Sequence, residues 1–255
     1  MITAKELAKL YRQAHNTMRD VDGLQPQEAL DELLKYLFFK QNSEFDFTRA
    51  ESETTPHDIR IYFQDYLENA NSWSDQIWRD QSFHLTDQAL LSIHDIFRKL
   101  DFSKVDYDIR SHAIREFMTP EIRKGLGIFL TPDEIVKTIV EFMRSFKGLK
   151  ILDPACGSGT FLTEFLKQNP DTTEVNGIDK SGRMLLLADL NLGHYPKIVF
   201  NKTLGDSLKI NHKDNNYDLI LTNPPFGVTL DSRDYDFNKF ETCKTRAGYT
   251  LKRQG

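Results

Sequence analysis

The sequence predicts an α/β protein in two parts: an all-helical domain over residues 1–124, then a doubly wound, Rossmann-like domain over residues 125–255. Three observations carry that expectation. Apolar residues before position 124 recur at helical spacing. Beyond it, short β-rich runs alternate with helical ones. The residues suited to ligand chemistry then fall at the C-terminal ends of those runs, where open α/β sheets hold their ligands.

The helices come first. Thr3 and Glu6 stand at capping-box spacing, so the chain opens with an ordinary helix start rather than a signal peptide. In "QPQEALDELLKYLFFKQ", Leu30, Leu33, Leu34, Leu37 and Phe38 form one apolar stripe. "TDQALLSIHDIFRKLDF" repeats it with Leu90, Ile93, Ile96, Phe97 and Leu100. "IRIYFQDYLENANSWSDQIW" is aromatic-rich, with Trp73 and Trp78 near its end, and reads as core or helix packing. The polar stretch "QNSEFDFTRAESETTPHD" reads as a loop.

The period then changes. "LKILDP", "TTEVNGID", "KIVFNKTL" and "YDLILTNPP" read as four parallel strands, with "TFLTEFLKQNP" and "GRMLLLADLNLGHY" as helical crossovers. Composition agrees with a globular protein: 39% of residues are hydrophobic and 28% charged. No apolar run approaches membrane-spanning length, so a cytoplasmic protein without membrane contact is expected. Two cysteines, Cys156 and Cys243, offer no metal-binding spacing. Residues 1–124 carry 16 Lys+Arg against 22 Asp+Glu, and residues 125–255 carry 17 against 16, so charge alone marks neither half as a nucleic-acid binder.

At the first strand end stands Asp153-Pro154-Ala155-Cys156-Gly157-Ser158-Gly159-Thr160. Gly157 and Gly159 let backbone approach a ligand, and Thr160 starts a helix whose positive end favours polar or anionic groups. The run matches neither a phosphate loop, since no Lys follows, nor a full dinucleotide fingerprint, since Leu162 replaces its third glycine. Asp153 would repel a pyrophosphate and suits a cationic ligand. Asp179 ends the second strand, where an acid can accept the hydroxyls of a ribose or simply begin a turn. Asp206 follows the third strand, suited to an adenine amino group or to capping. Thr131, Pro132 and Glu134 match N-cap, N1 and N3 of a helix before the first strand.

"LTNPPFG" ends the fourth strand. Pro224 and Pro225 stiffen the backbone and hold Asn223 extended. An amide oxygen and a fixed carbonyl can take the two protons of a planar amino group, while Phe226 stacks on the ring that bears it.

Taken in order, these motifs resemble the S-adenosylmethionine-dependent amino methyltransferases of the N6-adenine DNA type. With "GIFLTP" ahead of them and a helical region of about 120 residues in front, the chain resembles the modification subunit of type I restriction-modification systems. The resemblance implies S-adenosyl-L-methionine as cofactor. Asp153, Pro154, Ala155, Gly157, Ser158, Gly159 and Thr160 would surround its methionyl part, Asp179 its ribose and Asp206 its adenine. Leu130, Thr131 and Pro132 would close over it, and Asn223 would meet both cofactor and amine. Asn223, Pro224, Pro225 and Phe226 would act on an adenine flipped out of duplex DNA, without a metal. Implied partners are a specificity subunit, a restriction subunit and a second modification subunit.

Only 28 residues follow Gly227, without a convincing strand, where the resemblance implies three more strands and a helical tail. The expectation is therefore a shortened methyltransferase domain lacking its last strands: a truncated product, an expressed fragment, or one part of a split protein. An assembly-only cofactor-binding module, and methyltransferases acting on RNA bases or protein glutamine, are the alternative readings.

Overall fold

A computed structural model of the chain describes residues 2–43, 45–48, 53–69, 82–105, 113, 117–118, 131–143, 145, 150–193, 195, 197–210, 217–225, 230–231, 233–236 and 253–254. Leu130, Phe226, Trp73 and Trp78 lie outside them.

Helix α1 (Ala4–Asp22) starts at the expected capping box. Thr3 Oγ1 accepts from Glu6 N at 3.2 Å, and Glu6 Oε2 accepts from Thr3 N at 2.8 Å. Gly23, at φ 66°, ends it in the left-handed conformation a side chain resists. Helix α2 (Pro26–Asn42) carries the expected stripe, with Leu30, Leu33, Leu34, Leu37 and Phe38 all buried. Helices α3 (Pro56–Asn69) and α4 (Asp87–Phe97) join this layer, and Thr86 caps α4 through its side chain.

The helices share an aromatic core. Tyr36 stacks on Phe97 at 5.8 Å between centroids, and Phe63 on Phe83 at 4.3 Å. Within it, Tyr36 hydroxyl meets His94 Nδ1 at 3.2 Å, so a buried polar pair is satisfied. One expectation needs correction. The stretch after α2 is not simply a polar loop, because Phe45 and Phe47 turn inward and pack on Phe39.

Helix α5 (Asp133–Phe142) leads into the sheet. It begins one residue later than the capping pattern indicated: Pro132, not Thr131, is its N-cap. Thr131 has another engagement, described below. Strands β1 (Ile151–Asp153), β2 (Glu174–Asp179), β3 (Val199–Leu204) and β4 (Leu219–Ile220) form a parallel sheet in the order β3-β2-β1-β4. Helices α6 (Thr160–Gln168) and α7 (Gly182–Leu192) provide the crossovers. Strand order reverses at β1, which pairs with β2 on one side and β4 on the other. That reversal opens the crevice in which doubly wound sheets bind ligands.

Helix α7 is apolar around most of its circumference because both layers use it. Leu185 and Leu192 pack in the sheet core with Phe161 and Phe165, whereas Met184, Leu186, Leu187 and Leu190 join the core of the helical layer. Arg183 fastens the same helix to α2 through a two-pronged contact with Asp31, at 2.5 and 2.6 Å. The helical layer thus buttresses the helix that directly follows Asp179. Farther along, β5 (Leu230–Asp231) and β6 (Arg253–Gln254) make a minimal antiparallel pair that the sequence did not announce.

Candidate functional site

Four strand ends deliver polar side chains to one edge of the sheet. Asp153 closes β1 and is 1% exposed. Its Oδ1 accepts the Ala155 N–H at 3.0 Å, which folds the chain back into the glycine turn. Burial dominates its titration: despite that N–H, the carboxyl is pushed up to about 7. A buried acid of this kind suits a cationic group arriving beside it, since such a charge favours the ionised form.

Both glycines of the turn lie in the left-handed region, Gly157 at φ 53° and Gly159 at φ 75°. Their roles differ from the sequence reading. A Cβ on Gly159 would come within 3.1 Å of Ala188 Cβ on α7, so this glycine serves helix packing as well as backbone conformation. For Gly157 the nearest atom to such a Cβ would be Met184 Cε, at an ordinary 3.8 Å, so only backbone conformation demands glycine there. Helix α6 then starts at Thr160, and its N-cap Gly159 has no side chain with which to cap it. Ser158, largely buried, shares a hydrogen bond with Thr160 at 3.1 Å between hydroxyls, while its carbonyl accepts from Asn191 Nδ2 at 2.9 Å.

Asp179 ends β2 and organises the turn. Its Oδ2 accepts from Gly157 N at 2.9 Å and its Oδ1 from Ser181 N at 2.8 Å. A carboxylate offers about four acceptor positions, so Asp179 keeps capacity beyond these N–H groups for a ligand hydroxyl. Burial raises its pKa, and the N–H groups of Ser181, Gly157 and Lys180 oppose that rise. Asp206, after β3, accepts from Leu208 N at 3.1 Å through Oδ1, while Oδ2 meets Lys180 Nζ and the Tyr235 hydroxyl, each at 2.8 Å. Burial pushes its carboxyl up, but Lys180 and Tyr235 outweigh it and hold the group below its ordinary value.

Asn223 follows β4, the strand that pairs with β1. Its Nδ2 donates to Thr131 Oγ1 at 2.9 Å. This is what occupies Thr131, and it joins the segment ahead of α5 to the Asn-Pro-Pro turn across 92 positions of sequence. With one of its two N–H groups given to Thr131, the amide keeps its oxygen as an acceptor. Pro224 and Pro225 are exposed beyond it.

Sequence reasoning missed several contributors. Lys180 and Tyr235 gave no pattern signal. Gly177 in β2 is needed because a Cβ there would lie 2.9 Å from the Phe200 ring and 3.0 Å from Cys156 Sγ. An isolated glycine inside a strand is the one cue that marked this close approach.

The N-6 DNA Methylase family model matches residues 108–249. The chain belongs to the N-6 DNA methylase family. Among curated members it is 31% identical over 173 residues to the type I restriction enzyme MjaVII methylase subunit of Methanocaldococcus jannaschii, covering 62% of this chain and 30% of that protein. It is 24% identical over 274 residues to the type I restriction enzyme EcoKI methylase subunit of Escherichia coli, covering 87% of this chain and 50% of that one. The chain thus spans half or less of the length of these relatives. Its fold matches that of the type I restriction-modification system methyltransferase subunit from Streptococcus thermophilus with a TM-score of 0.65 at 14% identity, over 90% of this chain and 65% of the other. Among the described residues, no helix is long and apolar enough to cross a membrane.

Proposed function

We propose that this methylase-family chain binds S-adenosyl-L-methionine and carries the amine-facing turn of an N6-adenine DNA methyltransferase, as the modification subunit of a type I restriction-modification system. The observation that carries the reading is the Asn223–Thr131 hydrogen bond, which leaves the amide oxygen as an acceptor beside the strand that ends in Asp153.

The residues fit the cofactor. Asp153, buried without a cationic partner among its described contacts, suits an α-amino group. Asp179 retains acceptor capacity toward a ribose and Asp206 toward an adenine amine. When bound, the cofactor supplies an electrophilic methyl group on a sulfonium sulfur.

The chain's own residues prepare the nucleophile. Adenine's exocyclic nitrogen is a weak nucleophile because its lone pair is delocalised into the ring. Asn223 Oδ1 and the Pro224 carbonyl accept its two N–H groups, which draws the nitrogen toward a pyramidal geometry and frees the lone pair. A cofactor held beside Asp153 and Asp179 would supply its methyl group to that lone pair and leave as a neutral thioether, and the surplus proton on nitrogen would pass to water. Rate enhancement comes from alignment and from hydrogen bonds that strengthen in the transition state. The amine lies inside a duplex, so the base is flipped out to reach Asn223, with Phe226 next in sequence as the stacking ring. Sequence recognition belongs to a separate specificity subunit, and a restriction subunit and a second modification subunit complete the assembly.

Methyl transfer to adenine-containing duplex DNA, measured with a specificity subunit and the C-terminal segment of a longer relative supplied, tests the proposal. Asn223→Ala should abolish transfer and leave cofactor affinity nearly intact. An active Asn223→Ala protein refutes the amine-facing role.

A further inference from the structure

Asp206 is held in an asymmetric way. Two strong donors converge on Oδ2: the Lys180 ammonium and the Tyr235 hydroxyl, each at 2.8 Å, with 3.2 Å between the two donors. Oδ1 accepts the Leu208 N–H alone. A carboxylate oxygen offers two lone-pair positions, so Oδ2 is filled and Oδ1 keeps one open. Lys180 is the residue after Asp179. Tyr235 comes from the segment beyond the Asn-Pro-Pro turn, its ring held under Lys209 at 4.9 Å and Lys180 at 5.9 Å from the centroid.

We propose that Tyr235, together with Lys180, is a positioning residue for purine recognition. It anchors Asp206 through Oδ2 so that the open position of Oδ1 meets the exocyclic amine of the cofactor's adenine. The inference rests on the proposed reading in which Asp206 meets that adenine. A ring with a carbonyl in place of the amine would set an acceptor against this lone pair and lose affinity. Anchoring sharpens the distinction, because a carboxylate free to rotate could turn away from the mismatch. Tyr235 thereby also ties the segment after the target-facing turn to the adenine end of the cofactor site.

Calorimetric titration with S-adenosylhomocysteine and with its deaminated, hypoxanthine-bearing counterpart tests this on the full chain. Wild type should prefer the adenine form. Tyr235→Phe keeps the ring beneath Lys209 and removes only the hydroxyl, so its melting temperature should match wild type while the preference falls about three- to tenfold, as loss of one hydrogen bond implies. A wild-type preference retained in Tyr235→Phe overturns the proposal. Tighter binding of the adenine form by that variant also overturns it, because the hydroxyl would then compete for Asp206 rather than orient it. Asp206→Ala separates the underlying reading: if wild type shows no preference, or Asp206→Ala keeps one, Asp206 does not meet the purine and both assignments fall together.

Discussion

Replacing Asp153 with Asn removes a carboxyl whose burial raises its pKa from an ordinary 3.8 to about 7, and the consequence can be worked through with its sign. Between those two values the folded chain holds a proton that the unfolded chain has released. Stability contributed by the neutral acid is therefore complete below pH 4 and is lost as pH rises through about 7. Each pH unit of separation corresponds to about 1.4 kcal/mol, so the ligand-free protein should lose on the order of 4 kcal/mol from this one group between pH 4 and pH 7.5. Urea unfolding of wild type and Asp153→Asn across that range reads the difference directly. The variant, which cannot ionise, should lack this component. Ligand binding runs the other way, because a cationic amine beside Asp153 favours the ionised form. Wild-type affinity for S-adenosylhomocysteine should therefore rise by up to tenfold per pH unit toward pH 7 and then level off. Comparison with Asp153→Asn cancels the ligand's own titration. Parallel pH profiles for the two proteins, in stability and in affinity, would refute the reasoning.

Other consequences follow from the same geometry. Gly159→Ala forces a Cβ to 3.1 Å from Ala188 at φ 75°, so it should destabilise the fold by about 1–3 kcal/mol, seen as a lower urea midpoint; an unchanged midpoint contradicts the packing role. Duplex DNA should bind weakly and without sequence preference at physiological salt, because the chain carries a net charge of −5 and its helical half is the acidic one. Mobility-shift titration showing submicromolar, sequence-specific binding by this chain alone would locate a recognition element within it.

Much of the fold was legible because periodicity records burial. The stripe on α2 and the alternation of strands with α6 and α7 gave the layers and the parallel sheet, and the strand ends gave the places for Asp153, Asp179, Asp206 and Asn223. What escaped depended on contacts distant in sequence. Thr131 looked like a cap because its local pattern fits one, yet its hydroxyl is taken by Asn223, 92 positions away. Gly159 reads as a ligand glycine, and its packing against Ala188 on α7 adds a structural demand that no local pattern shows. Phe45 and Phe47 sit in a polar stretch without period, so only the core they fill reveals them as structural. Lys180 and Tyr235 are ordinary surface residue types, and their significance arises only where they converge on Asp206.

The central claim, that the edge formed by Asp153, the glycine turn and Asp179 is a cofactor site, is tested most directly by calorimetry of S-adenosyl-L-methionine against wild type and Asp179→Ala. Asp179 supports the turn through Gly157 and Ser181, and in the proposed reading its remaining acceptor capacity meets the ribose. Wild type should bind one equivalent, and the variant should bind about ten- to a hundredfold more weakly, about 1–3 kcal/mol, while its circular dichroism stays that of a folded protein. No binding by folded wild type, or equal affinity in Asp179→Ala, would contradict the account.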